Sequence, residues 1–533
     1  MRRSIIAALF FVFGTVAAMA QNPYMPLWEH IPDGEPYVFE DPDKPGEYRV
    51  YVYGSHDSLV DTYCGREQVV WSASVNDLTN WRYDGVILEV KYDRDGKQLN
   101  DGCVGDVLYA PDVTVRVENG VKVYYLFPNV QGERNPLIAR SLRPDGPFEV
   151  CNWDPQNPRL TVGTLGFDPA VFVDDDGRVY GYWGFEESWA AELDPQTMAT
   201  VKPGCAPVHN MVTGRYQEGI FHFFEASSLR KIKDKYVFIF SRMSPKEEFG
   251  LGESNYTLAY AYSDNPLGPF TYGGTLIDAR GRDVDEHGRP TYTAYPNGNT
   301  HGSIAEVNGR WWVFYHRQTG TDEYSRQAMV APITVDVEEG PGGKVVITEG
   351  EVTSEGFRTE GLDPLAKSAA GWACYFVGPE GAVESYPNFL FTGSYVKASR
   401  VADQSPWFAP YNLKQPLCPV INNTAGSVVG FKYYNFDRTA GKGKLSIKAH
   451  FKPEGVDGKV IVLAGGPCKK RGGTKIAEFK IGAGDAQQIT EYTAAVSGLE
   501  GVSGKQPLFF VFKSRTKGAS ICEFHDFQFI AGE

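Results

Sequence analysis

The chain has 533 residues, 42% of them hydrophobic and 14% aromatic, enough for two or three domains with sizeable cores. Its formal net charge is −14 and no long Lys/Arg run occurs, which argues against a nucleic-acid partner, because phosphates demand basic patches. An acidic total otherwise bears on solubility, not on function.

The chain opens MRRSIIAALFFVFGTVAAMAQNP. Arg2 and Arg3 form a basic start, an apolar run from Ile5 to Ala17 is too short for a comfortable bilayer span, and AMA offers small residues for cleavage. The pattern predicts a signal peptide over 1–20, cut after Ala20. No Cys follows the cut, so no lipid anchor is expected, and no later stretch is apolar enough to span a membrane. The expectation is an exported, soluble monomer, periplasmic or extracellular. The eight Cys form no CxxC pair, which disfavours zinc. An oxidising compartment would allow disulfides, but a core of this size does not need them.

A phrase then recurs along the chain. GEPYVFEDPDKPGEYRVYVYGSHD begins at Gly34, APDVTVRVENGVKVYYLFP at Ala110, and DPAVFVDDDGRVYGYWG at Asp168. FEASSLRKIKDKYVFIFSR begins at Phe224 and HGSIAEVNGRWWVFYHRQ at His301. Each copy has an ionisable residue, a short apolar strand, a turn and an aromatic-rich strand. Asn-Gly and Asp-Gly are strong hairpin turns, since both central positions accept positive φ. The repeat, about 55–80 residues, falls in the range of a four-stranded propeller blade with loop insertions. Five units predict an all-β fold beginning with a five-bladed β-propeller. The first strand of each blade should line the shaft, so Glu35, Asp112, Asp168, Glu225 and His301 should meet around one cavity.

Like charges gathered in a shaft cost energy unless they are used or neutralised. Glycoside hydrolysis uses such a set. One carboxylic acid protonates the leaving oxygen, and in an inverting enzyme a second carboxylate activates water on the opposite face. A third raises the pKa of the acid and keeps it protonated near neutral pH.

These phrases together resemble glycoside hydrolase family 43, over roughly Asn22 to Asp336. The resemblance implies an inverting mechanism and removal of arabinofuranosyl or xylosyl groups, in some members galactosyl or galactofuranosyl groups, from plant-type polysaccharides. Glu225 then matches the general acid and Asp168 the residue that tunes its pKa. The base normally sits in an ADP motif, where this chain reads PDGEP and offers Asp33 or Glu35. Aligning EPYVF with DPAVF favours Glu35, with Asp33 next. The expected sugar-binding set is Trp28, Phe167, His301 and Arg326, with Asp112 as a supporting acid at the shaft. Tyr109 is a further stacking candidate, and His316 and Arg317 are possible supports. No cofactor is required; a structural Ca2+ near His301 on the propeller axis is a possibility that the resemblance carries.

The propeller is expected over 21–352 and a linker over 353–370. Short alternating strands over 371–533 predict a β-sandwich, whose tail resembles a family 6 carbohydrate-binding module. Trp372, Tyr375 and Trp407 are its candidate sugar-binding aromatics. A competing reading keeps the fold but drops catalysis, leaving a sugar-binding propeller with an impaired base. Five-bladed fructosidases are disfavoured because neither NDPNG nor RDP occurs.

Overall fold

A computed structural model describes residues 21–58, 63–97, 107–132, 134–284, 287–294, 298–320, 323–379, 393–398 and 418–532. The expected signal peptide, Cys103 and Trp407 lie outside the described residues.

Four antiparallel four-stranded sheets follow one another in the chain. They are built on first strands Glu35–Glu40, Val107–Glu118, Ala170–Val173 and Phe223–Ile232. A fifth sheet has three strands, Ser303–Val307, Arg310–Arg317 and Gln327–Ile333. Two of the predicted hairpin turns have the backbone that their sequence demands: φ is 50° and 83° at Asn119-Gly120, and 50° and 74° at Asn308-Gly309.

Five apolar clusters lie between successive sheets, and their order shows that the sheets form a closed ring. Tyr51, Tyr53 and Val70 of blade one pack on Leu108, Tyr124 and Leu126 of blade two. Tyr125 and Phe127 of blade two meet Val171 and Val179 of blade three. Tyr180 and Tyr182 of blade three meet Phe223, Phe238 and Phe240 of blade four. Ile239 and Leu258 of blade four meet Val313 and Met329 of blade five. Trp312, Phe314 and Val330 of blade five return to Val50, Val52 and Trp71 of blade one. Each fully buried large apolar side chain contributes about 1.5–3 kcal/mol. The architecture is therefore a five-bladed propeller.

Among the described residues, no strand crosses the seam between blades five and one. The N-terminal segment covers it instead. Tyr24, Met25, Trp28 and Ile31 sit in the seam cluster. The buried Asn22 side chain donates to Val330 O at 2.7 Å and Thr353 O at 3.0 Å, and accepts from Val330 N–H at 3.0 Å.

After the propeller come two packed antiparallel sheets, a β-sandwich. Its core includes Phe431, Phe451, Phe510, Phe524 and Phe527. The connecting stretch 353–370 is packed on both sides. Phe357 stands edge-on to Trp312 at 4.9 Å, while Leu362 enters the sandwich core and Ser368–Ala369 pairs with its last strand. Leu27, from the N-terminal segment, also lies in that core. Arg317 of blade five donates to the carbonyls of Gly371 and Ala373.

Candidate active site

A cavity of about 470 Å³ lies where the innermost strands begin, within the 300–1,000 Å³ range of small-ligand sites. Asp33, Asp168, Glu225, His301, Asn299 and Arg326 line its polar side; Tyr63, Tyr109, Phe167, Phe185 and Phe224 form much of its apolar side. The cavity brings together Asp33, Asp168, Glu225, Phe167, His301 and Arg326, and leaves out Glu35, Asp112 and Trp28.

Local backbone geometry aims the acids. Asp33 and Asp168 are left-handed, with φ 60° and 46°, and each stands two residues before its blade's first strand, which starts at Glu35 and Ala170 respectively. Glu225 projects from a bulged stretch of its strand, where pairing slips between Phe223 and Ser228 and Ala226 has φ 67°. Cys64 and Ser325 are also left-handed beside the site. Each such non-glycine residue stores roughly 1–3 kcal/mol, and such residues cluster at functional sites.

The acids differ in environment. Burial and the Asp168 carboxylate push Glu225 up to about 8, so it carries its proton at neutral pH; its Oε1 is 3.4 Å from Asn299 Nδ2. Burial also acts upward on Asp33, but the Arg326 guanidinium outweighs it and holds Asp33 well below the usual carboxylate range. Arg326 Nη1 donates to Asp33 Oδ1 at 3.0 Å, and Ser55 donates to Oδ2 at 2.5 Å. The Asp33 N–H donates to His316 Nδ1 at 3.1 Å. That fixes the ring proton on Nε2, which faces Asn299 O at 2.9 Å. Burial lowers the His316 pKa, consistent with a neutral ring.

Asp168 accepts from Asn129 Nδ2 at 2.8 Å and from the Ala226 N–H at 3.2 Å. His301 Nδ1 stands 3.5 Å from Asp168 Oδ2. Burial works against its charge, but Asp168 outweighs burial and raises the ring to about 9.

Four expectations are corrected. Glu35 is fully buried away from the cavity, paired with Arg230 at 2.7 Å. It opens a strand in register with Tyr53, so the residue equivalent to Asp168 is Asp33, two positions earlier. Asp112 accepts from Tyr37 OH at 2.6 Å and from the Val171 N–H at 2.7 Å, deeper in the shaft. Trp28 is 8% exposed within the seam cluster, where it faces Trp71 instead of a sugar. Arg326 lines the cavity, but its donors all face protein acceptors: Asp33, Asn299, Cys64 and both oxygens of Asp57. It is a clamp on Asp33 and not a free hydroxyl donor. Of the sandwich aromatics, Tyr375 is buried and Trp372 packs on the core.

Sequence reasoning missed Asn299, Asp57, Tyr63, Phe185, Phe224 and Glu323. Asp57 lies in the quoted SHD, three residues past a blade-one strand, and that was its one available signal. Phe224 opens the quoted FEASSL phrase within a strand, and the others sit in loops whose packing only the fold reveals.

A ring of blades with a protonated and an ionised carboxyl group in one axial cavity defines a carboxylate-based glycosidase. The chain belongs to glycosyl hydrolases family 43. The profile of Glycosyl hydrolases family 43 matches residues 37–341. A "Xylosidase/arabinosidase" of Thermoclostridium stercorarium is 32% identical over 456 residues, covering 80% of this chain and 84% of that one. "Xylosidase/arabinosidase 43A" of Humicola insolens is 29% identical over 316 residues, covering 50% and 84%. The crystal structure of a family 43 arabinoxylan arabinofuranohydrolase from Bacillus subtilis aligns over 96% of this chain and 97% of that chain, with 21% identity and a TM-score of 0.44. The profile match begins beyond Asp33 and Glu35, so the choice of base rests on geometry.

Proposed function

We propose that this glycosidase is an inverting enzyme that removes terminal arabinofuranosyl or xylosyl groups from xylan-type substrates. In this mechanism Asp33 is the base and Glu225 the acid. Arg326 and Ser55 keep Asp33 ionised and aimed, His316 anchors its backbone N–H, and Asp33 takes a proton from water as the water attacks the anomeric carbon. Glu225 gives its proton to the leaving oxygen. Asp168 keeps Glu225 protonated beforehand and, with His301, sets the charge of the pocket floor. The reaction needs water and two carboxyl groups and routes no step through a cofactor.

The observation that carries the reading is the opposite displacement of two acids in one cavity, Glu225 up and Asp33 down. The pentose assignment is supported by the names of the relatives. The N-terminal basic-apolar-small pattern supports export, and the sandwich's resemblance to a family 6 module supports a carbohydrate-binding or buttressing role. The test is hydrolysis of nitrophenyl arabinofuranoside, xyloside, galactoside and galactofuranoside by the wild type and by Glu225→Gln. The pentosides should be cleaved fastest and Glu225→Gln should be nearly inert while still folded. Cleavage of the hexosides alone would overturn the substrate assignment.

A further inference from the structure

Arg230 leaves the innermost strand of blade four, and its contacts run around the whole ring. Its Nε donates to Ile304 O of blade five at 3.1 Å. Its Nη2 donates to Glu35 Oε2 at 2.7 Å and Pro36 O at 3.3 Å, both of blade one. Its Nη1 donates to Tyr37 OH at 3.1 Å, and the guanidinium lies 4.4 Å from the Tyr37 ring centroid. Tyr37 OH donates in turn to Asp112 on blade two, and Asp112 accepts from the Val171 N–H of blade three. Ser228 adds a donor to Glu35 at 3.3 Å and pairs with Ser303 at 2.8 Å. One connected network thus touches the innermost strand of all five blades, and only groups inside the shaft can do that.

We propose that Arg230 is a built-in cation that plugs the propeller shaft and occupies the electrostatic role of an axial metal ion, so that this enzyme is calcium-independent.

Calcium takes six to eight oxygen ligands at about 2.3–2.6 Å. Here both Asp112 oxygens and Glu35 Oε2 already accept from protein donors, and Glu35 Oε1 is the single carboxylate oxygen of the pair left without a partner. Two buried acids face one guanidinium. Burial and Glu35 push Asp112 up to about 7, so partial protonation of Asp112 covers part of the remaining charge. Nearby, His301 and Asp168 balance one another. A divalent ion would add charge beside a guanidinium and an imidazolium, with little unneutralised carboxylate to hold it. The residues therefore do not fit the calcium that the family resemblance suggested near His301.

The test uses the full-length protein, dialysed against a chelator and then metal-free buffer. Elemental analysis should find no stoichiometric calcium, and the melting temperature should not move with EDTA or CaCl2. Arg230→Met should melt about 5–10 °C lower, because an unpaired buried charge is costly, and added CaCl2 should recover part of that loss by supplying the missing cation. Arg230→Lys, which keeps the charge, should recover most of it without calcium. One tightly retained calcium per wild-type chain, or a wild-type melting temperature that falls on chelation, overturns the proposal, as does an Arg230→Met variant as stable as wild type. If Arg230→Met is not recovered folded, the wild-type calcium content and chelation response decide the question.

Discussion

The guanidinium of Arg326 ties two acids together: Nη1 holds Asp33 at 3.0 Å while Nε and Nη2 fork onto Asp57 at 3.0 and 2.9 Å. Asp57 comes from the loop just past blade one's second strand, Arg326 from blade five, and Asp33 from the segment entering blade one. The proposed base is thus fixed by a positive group that is itself fixed.

Asp33→Asn should lower kcat by about 10²–10⁴-fold, the usual cost of losing a general base, with binding retained. Azide should restore part of the rate, because it attacks without deprotonation. Glu35→Gln should lower the melting temperature through its lost ion pair with Arg230, yet keep turning over and ignore azide. Steady-state kinetics with and without azide check this. An azide-rescued Glu35→Gln beside an active Asp33→Asn would reverse the assignment.

Arg326→Lys should move the acidic limb of the kcat/KM profile to higher pH. Arg326 holds the Asp33 carboxyl below its ordinary range, and a lysine replaces a five-donor fork with one compact charge. Asp33 should then protonate at higher pH and activity should vanish earlier on acidification. An acidic limb that stays in place would separate Asp33 from the rate.

Asp168→Asn and His301→Gln should move the alkaline limb in opposite directions. The wild-type limb should fall near pH 8, where Glu225 loses its proton. Removing the Asp168 charge lowers the Glu225 pKa and shifts the limb down. Removing the His301 charge raises that pKa and shifts it up. Parallel shifts, or none, would mean that neither group acts on Glu225.

Proton NMR of the first-formed sugar should show inverted anomeric configuration. Asp33 and Glu225 reach the cavity from different blades, with one held ionised and the other protonated. Retention would require one of them to be a nucleophile and would discard the single-displacement mechanism.

Truncation at residue 352 should leave a propeller that melts well below the full chain or aggregates. It strips the Gly371 and Ala373 carbonyls from Arg317 and the cover over Leu27. Thermal unfolding of the truncated chain beside the full one measures this; equal stability would make the sandwich a mere appendage.

The ring was legible because its signal is repeated: five polar-apolar-turn-aromatic phrases, two with Asn-Gly turns, leave little freedom in blade number. Asp168, Glu225 and His301 were legible for the same reason, each occupying the same place in its phrase. Glu35 was misplaced in the cavity because a side chain's direction depends on φ as well as on sequence register. Glu35 matches Asp168 by its following proline, whereas Asp33 matches it by its left-handed backbone and its two-residue lead into the strand. Asn299 and Asp57 act by bridging segments far apart in the chain, and no local pattern marks such a bridge. The shaft plug was hidden in plain view: Arg230 sits in SSLRKIKDKY, where an arginine reads as a solvated strand residue until the strand is known to be innermost.

The seam between blades five and one has a consequence for how this enzyme dies on heating. Asn22, Tyr24 and Trp28 close it, and a few residues later the same segment presents Asp33 to His316 and Arg326 of blade five. The last joint of the ring and the proposed proton acceptor are one stretch of chain. Loosening that stretch would disarm catalysis while four blades and most of their hydrogen bonds stay intact. Inactivation should therefore run ahead of the loss of β-sheet signal, and tightening the seam, not the blades, is the direct route to a longer-lived catalyst.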